Sequence, residues 1–328
     1  MTINEIAKLA GVSRATVSRY LNDGYVSREK SEKIRAVIEE TGYRPSAQAQ
    51  ILRTKRTKLV GVIIPKINSD SISRMVAGIS SVLSAAGYEI LLANTDNNEK
   101  EELKYLQVFT ASNQVDGIIL IGTIITAAHR KVLRSLQLPV VVLGQRVKEC
   151  SCVYHDDYQA AFELTELLLR RGEKIGYIGV TEKDLSAGLM RKRGFLDALK
   201  NAGAEPRPEW MTECGFRIDS GYKAAAELFS RDSAPDSLFC STDNIAIGAM
   251  MYFREHNIRV PEQVQVAGTG DTELAHIIQP SLCTAHYYYK TSGEEAARLL
   301  LELFTRELAV KKEIQIGHQL IENDSIRR

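Results

Sequence analysis

From residue 59 onward the chain alternates short β-branched runs with longer amphipathic stretches, and few folds accommodate that rhythm. The strand-sized runs are LVGVII at 59–64, YEILLA at 88–93, DGIILI at 116–121, PVVVL at 139–143, KIGYIGV at 174–180, DSLFCS at 236–241 and VQVAG at 264–268. Helical patterns such as RMVAGISSVLSAAG and QAAFELTELLLRRG lie between them. Such alternation predicts an α/β fold with parallel sheets and right-handed crossovers. The roughly 270 residues involved exceed one such sheet, which predicts two α/β subdomains with a cleft between them.

Residues 1–58 differ from this body in charge and pattern. They carry 12 Lys and Arg against 6 Asp and Glu, a net +6, whereas the remainder carries 30 against 35. A basic head on an acidic body predicts contact with a polyanion at one end. Thr2 and Glu5 have capping-box spacing, with Ile6, Leu9 and Ala10 following at helical intervals before Gly11 stops the first helix. Ser13 caps a second helix running from Arg14 to about Leu21, and Ser27 a third, in which Ile34, Val37 and Ile38 form the apolar face before Gly42. Two short helices joined by a tight GVS turn and braced by a third make a helix-turn-helix pattern. In such a unit the N-terminal residues of the second helix face base edges, which predicts Arg14, Ala15 and Arg19 as readers of double-stranded DNA. Thr16, Ser18 and Asn22 are small donors suited to phosphate oxygens, and Val12, Val17 and Leu21 read as core.

Several function classes find no support in the sequence. Six histidines fall in no HExxH or HxxxH spacing, and there is no GxSxG elbow, GxxxxGK phosphate loop or GxGxxG fingerprint. Neither a catalytic constellation nor a metal or organic cofactor is therefore expected. The polar run HDD at 155–157 reads as a helix start with Asp157 as the cap. Five scattered cysteines without a CxxC pair fit reduced thiols. No apolar run approaches a membrane span, and the N-terminus lacks a secretory pattern, so a cytoplasmic protein without membrane contact is expected.

The head is similar to that of the LacI/GalR family of transcriptional regulators, whose pattern IxDIAxxAGVSxxTVSRxLN reads here INEIAKLAGVSRATVSRYLN, with Asn4 in place of aspartate. The family's hinge pattern YxPNxxAxxL reads YRPSAQAQIL, with Ser46 in place of asparagine. The resemblance covers essentially the whole chain. It implies a helix-turn-helix head over 1–58 with a hinge helix at 46–53, and an effector-binding and dimerisation domain over 59–328. That domain is expected to resemble periplasmic sugar-binding proteins, with two Rossmann-like subdomains, each discontinuous in sequence. Ala49 and Leu52 are implied in the hinge contact with DNA, Leu52 as a wedge in the minor groove. Arg191, in MRKRGF, falls on the family's effector-clamping arginine, and Phe216 on its aromatic wall.

Elsewhere the chain departs from the family pattern. Ser71 and Ile72 stand where many relatives have an aromatic pair, and Thr242 stands where asparagine is frequent. Gly144-Gln145 replaces an aspartate-containing pair, with Gln145 as a substitute polar contact. The family's GYDD loop reads GTGDT, leaving Asp271 alone. Hydroxyl and amide groups around one arginine suit a sugar or sugar phosphate better than a purine. The expected function is therefore a homodimeric repressor of a carbohydrate-utilisation operon, binding a pseudo-palindromic operator and controlled by a carbohydrate effector through the angle between subdomains. The rival readings are a regulator answering to a protein or a phosphorylated metabolite, and a cytoplasmic sugar-binding protein.

Overall fold

The structure, a computed structural model, describes residues 1–22, 24–43, 56–111, 114–231, 233–305 and 310–327. It divides into two compact units, Met1–Thr57 and Lys58–Arg328. The hinge segment expected at 46–53, with Ala49 and Leu52, lies outside the described residues.

The first unit contains α1 (Ile3–Leu9), α2 (Arg14–Tyr20) and α3 (Arg28–Thr41). Thr2 and Glu5 form a reciprocal capping box: the Thr2 amide donates to Glu5 Oε2 at 2.7 Å, and the Glu5 amide to Thr2 Oγ1. Gly11, at a φ of 63°, turns the chain between α1 and α2 in a conformation costly for any residue with a Cβ. Ser13 caps α2 by accepting from the Thr16 amide at 3.2 Å. Ser27 occupies the corresponding position before α3, but its side chain makes no capping bond, contrary to the sequence expectation. The core consists of Ile6, Ala7, Ala10, Val17 and Ile34, with Val12, Leu21, Val37 and Ile38 packed around it. Leu9 is 59% exposed instead of joining this core. Ile6, Ala7 and Ala10 form the buried stripe of this short helix, and Leu9 falls at its flank.

The second unit holds two six-stranded sheets. The first has the order β11-β5-β4-β3-β1-β2 and is parallel throughout: β1 (Leu59–Ile64), β2 (Glu89–Asn94), β3 (Gly117–Ile121), β4 (Val140–Leu143), β5 (Ser151–His155) and β11 (Glu313–Ile316). The second has the order β12-β10-β9-β8-β6-β7: β6 (Ile175–Gly179), β7 (Met211–Glu213), β8 (Ser237–Cys240), β9 (Gln265–Thr269), β10 (Cys283–Tyr287) and β12 (His318–Ile321). Only β12 is antiparallel, to β10. The crossover helices are α4 (Asp70–Ala85), α5 (Glu99–Ala111), α6 (Ala127–Ser135), α7 (Asp157–Leu169), α8 (Arg191–Asn201), α9 (Ile218–Phe229), α10 (Asp243–Glu255), α11 (Glu273–Ile277) and α12 (Tyr289–Thr305).

The chain passes between the sheets three times: after β5, after β10, and between β11 and β12. Both subdomains are consequently discontinuous in sequence. Two of their helix pairs come together at glycines. A Cβ on Gly78 of α4 would meet the Lys290 carbonyl of α12, and one on Gly248 of α10 would meet the Ile218 carbonyl of α9. A single apolar cluster runs from Val60, Val62 and Ile119 of the first sheet through Leu164 and Leu168 of α7 to Tyr177 and Phe239 of the second.

The seven strand-sized runs of the sequence correspond to β1–β4, β6, β8 and β9, with ends shifted by a residue or two. Five strands were not anticipated. β7 is only three residues long, β5 and β10 mix histidine and cysteine into their apolar runs, and β11 and β12 are four-residue edge strands. None of these has the continuous β-branched run that marks a strand buried on both faces.

Candidate functional site

The exposed face of α2 presents Arg14, Ala15 and Arg19, and Asn22 is exposed just beyond its end. Among the described residues neither arginine has a carboxylate partner, so both guanidiniums are available to a polyanion. Ser18 is half-buried, and its carbonyl accepts from Asn22 Nδ2. Thr16 departs from the expected phosphate role. It is buried, with its hydroxyl 2.9 Å from Ser13 Oγ, and it braces the start of α2 from inside. Beyond α2, Tyr25 is 90% exposed, an aromatic side chain that no sequence pattern singled out.

In parallel sheets of this kind the crevice lies outside the carboxyl ends of the strands, at the point where strand order reverses. Here β1 lies between β2 and β3, and β6 between β7 and β8. The loops at those ends bring together side chains from six strands. β6 delivers Asp184 and, through a π-helical turn over Leu185–Met190, Arg191. β5 delivers His155 and Asp157, β8 delivers Ser241, Thr242 and Asp243, and β9 delivers Thr269 and Asp271. β4 supplies Gln145, and β10 ends at Tyr287, two residues before Tyr289.

Arg191 is buried, and its donors are engaged on several sides. Nε and Nη2 reach Asp157 Oδ1 at 2.8 and 2.7 Å, and Nη1 donates to the Ser241 carbonyl and to Thr269 Oγ1. Its guanidinium lies 5.0 Å from the centre of the Tyr287 ring. Asp157 is thus an ion-pair partner rather than the helix cap that the sequence suggested. The cap is Asp156, whose Oδ1 accepts from the Gln159 amide at 3.1 Å. The reason is phase: Asp157 is already the first residue of α7, and its side chain turns inward.

Gln145 is buried and joins the two subdomains. Its Nε2 donates to the Thr123 carbonyl at 2.8 Å and to Asp184 Oδ1 at 3.0 Å. Ser186 Oγ donates to the Gly144 carbonyl at 2.8 Å beside it. On the other side, Arg74 Nη2 donates from α4 to the Gly270 carbonyl at 2.6 Å while pairing with Asp70 at 2.7 Å. Burial pushes the Asp184 carboxyl up to about 6, against the opposing effect of the Ala187 amide. His155, tilted against Tyr287 and edge-on to Tyr289, is pushed down to about 4 by burial and is neutral in the fold.

The remaining candidates are more dispersed. Thr242 caps α10 by accepting from the Ile245 amide at 3.3 Å. Ser71 Oγ lies 3.1 Å from Ser69 Oγ at the start of α4. Asp271 is held between His276 Nε2 at 2.7 Å and His286 Nδ1 at 2.6 Å. Phe216 is 42% exposed and lines a pocket of about 550 Å³ with Lys66, Tyr222, Asn244 and Met251. None of the other five effector candidates lines that pocket. Sequence reasoning missed what surrounds Arg191: Asp157 as a counter-ion, Ser241 and Thr269 as acceptors, Tyr287 beside the guanidinium, and Asp184, which feels its charge without pairing with it. Their common signal is that each lies within about five residues of the carboxyl end of a parallel strand.

The arrangement consists of hydrogen-bonding groups around one ion pair, Arg191 with Asp157, and its central groups are buried. The cysteines follow suit: burial pushes the Cys150 thiol up to about 12 and raises Cys152 as well. Among the described residues no His, Cys, Asp and Glu group could hold a metal ion, and no helix is long and apolar enough to cross a membrane.

Comparison with known proteins agrees with this division. Residues 2–46 match the model of bacterial regulatory proteins of the lacI family, and residues 57–324 that of periplasmic binding proteins and the sugar-binding domain of the LacI family. The chain is 32% identical to the sucrose operon repressor of Staphylococcus xylosus, over 98% of this chain and 99% of that protein. It is also similar to the solved complex of the transcriptional regulator CelR with cellobiose, at 27% identity and a TM-score of 0.76, covering 99% of each chain. The lac repressor dimer bound to operator shares the fold, with a TM-score of 0.88 at 22% identity over 99% of this chain and 98% of that one. With a capped helix-turn-helix at one end and two strand-exchanging α/β subdomains in the rest, this chain belongs to the LacI family of bacterial transcriptional regulators.

Proposed function

We propose that the protein is a repressor of a carbohydrate-utilisation operon that binds a two-fold operator as a homodimer and releases or tightens its grip when a carbohydrate enters the cleft between its subdomains. Arg14, Ala15 and Arg19 read base edges, and Ser18 and Asn22 fix the register on phosphates. Ala49 and Leu52 belong to the hinge contact. Arg191, Gln145 and the groups that hold them form the floor of the effector site, and Phe216 forms its outer wall. Thr242 and Asp271 support the floor from neighbouring loops, with Ser71 at the rim. The protein binds and switches without covalent chemistry.

The observation that carries this reading is α2: a Ser13-capped helix presenting on one exposed face two arginines that have no carboxylate partner among the described residues. The sucrose operon repressor and the cellobiose-bound CelR support a carbohydrate as the class of effector. The test combines a thermal-shift screen of mono- and disaccharides with operator binding measured for each hit. A saccharide that both raises Tm and changes operator affinity is the expected result. A protein that binds its operator but answers to no saccharide would end the carbohydrate reading. Arg19→Ala should cost about 1–3 kcal/mol of operator binding and relax base preference at one position of each half-site. Unchanged selectivity in a randomised-operator selection would remove Arg19 from the reading set.

A further inference from the structure

We infer that the effector is an uncharged, polyhydroxylated carbohydrate and that the cleft refuses phosphorylated or carboxylated sugars. This rests on the carbohydrate reading above and narrows it. Every cation of the floor already has a carboxylate. Arg191 is paired with Asp157 and gives its remaining donors to Ser241 and Thr269, while Arg74 is paired with Asp70 and gives Nη2 also to Gly270. Two further carboxylates form no ion pair among the described residues, although the Arg191 charge partly offsets burial at Asp184. Asp184 Oδ1 accepts only N–H groups, from Gln145, Ser186 and Ala187, each at 3.0 Å. Asp243 accepts from the Thr272 amide at 2.8 Å and from Thr284 Oγ1 at 2.6 Å. Burial raises both groups, an indication of how costly negative charge already is there.

A phosphate monoester adds a charge of about −1.5 to −2. On this floor it would lose its hydration without gaining a guanidinium that lacks a carboxylate. Among the described residues the one guanidinium donor left open there is the buried Nε of Arg74, which already shares its charge with Asp70. The wider pocket around Phe216 does carry cations, but they face water. Arg217 and Lys223 are exposed, Arg217 is already paired with Asp219 at 2.8 Å, and Lys66 is only half-buried. Glu255 lies beside that pocket, accepting from the Tyr222 hydroxyl at 2.6 Å. Solvent-exposed pairs of this kind contribute about 0–1 kcal/mol.

What the floor does offer is neutral hydrogen-bonding capacity. Among the described residues Gln145 Oε1, His155 Nε2 and Ser241 Oγ are buried without a partner; Ser241 accepts from Arg191 through its carbonyl, His155 packs on Tyr287 beside Arg191, and Gln145 is bonded to Asp184. Sugar hydroxyls both donate and accept, so they can satisfy an amide oxygen, a neutral imidazole and a serine hydroxyl at once.

The test is titration calorimetry of the full-length protein with matched pairs: sucrose, trehalose, cellobiose and glucose, each against its 6-phosphate, with inorganic phosphate as a control. Operator binding is measured in parallel. The expected result is that at least one neutral sugar binds and that its phosphate binds at least about tenfold more weakly. Asp184→Asn, which removes one negative charge, should narrow that gap. A phosphate ester that binds as well as, or better than, its parent overturns this inference and leaves the carbohydrate reading standing. If no member of any pair binds while operator binding is intact, the carbohydrate reading fails and this inference fails with it.

Discussion

Two buried side chains at the cleft, Asp184 and His155, oppose each other in their dependence on pH. Burial raises the Asp184 carboxyl from 3.8 to about 6. Between those values the folded chain holds a proton that the unfolded chain releases, so this group's contribution to stability falls as pH rises through that window. Burial lowers His155 from 6.5 to about 4. Here the unfolded chain takes up the proton, so the contribution falls as pH drops from about 6.5 to 4. The two effects largely offset one another. Asp184→Asn leaves His155 uncompensated, so urea-denaturation stability should fall more steeply between pH 6.5 and 4 than in the wild type, by up to roughly 1.4 kcal/mol per pH unit. Parallel pH curves for the two proteins would show that Asp184 titrates normally. Arg191 poses a different residue-level question, because its removal strands Asp157 in a buried place. Arg191→Met should lower stability by about 3–5 kcal/mol, and Arg191→Met combined with Asp157→Leu should recover much of that loss. A single variant with wild-type Tm would mean that water reaches Asp157 freely.

At the scale of the element, the head shows that a capping residue and a capping bond are different things. Ser13 and Ser27 both precede helices, yet only Ser13 accepts a backbone N–H. Ser13→Ala should therefore destabilise the head by about 1 kcal/mol. Ser27→Ala should change it by no more than a few tenths of a kcal/mol, because no bond is lost. Chemical denaturation followed by the far-UV signal of an isolated 1–57 fragment compares the two, given that this unit has its own core. Equal losses would place a capping bond at Ser27 in solution. The same element carries the functional consequence, since the Ser13 cap fixes where α2 begins and therefore which side chains its first turn presents.

Across the whole molecule, charge is segregated: the first 58 residues are net positive by six and the remainder is net negative. An acidic body repels DNA, so binding must come through the head and must weaken with salt. If a dimer makes about 6–10 phosphate contacts, operator affinity should fall by about 10³–10⁵-fold between 50 and 200 mM salt. A fluorescence-anisotropy titration over that range gives the slope, and a slope near zero would be incompatible with binding through this head. The sheets assign the switching role to the body. The three passages of the chain between the subdomains leave Gln145–Asp184 and Arg74–Gly270 as polar contacts across the cleft, where a ligand can shift the balance between two arrangements.

The sequence by itself determined the class of fold, the head and the identity of the central strands, because these depend on local patterns: capping spacings, a tight turn, and β-branched runs long enough to be buried on both faces. It also singled out Arg191 and Gln145 through a family pattern. It gave no indication of what surrounds them. Asp157 read as a cap because its nearest sequence neighbours begin a helix, and only the packing of α7 against α8 turns it toward Arg191, thirty-four residues away. Asp184, Ser241, Thr269 and Tyr287 carry no local signal at all. They meet only because parallel sheets deliver the ends of β6, β8, β9 and β10 to one place, and the short edge strands that complete the exchange between subdomains take their stability from neighbours rather than from their own residues. The head helices and the central strands followed from local pattern, whereas the short edge strands and the charge balance of the cleft were decided by long-range packing.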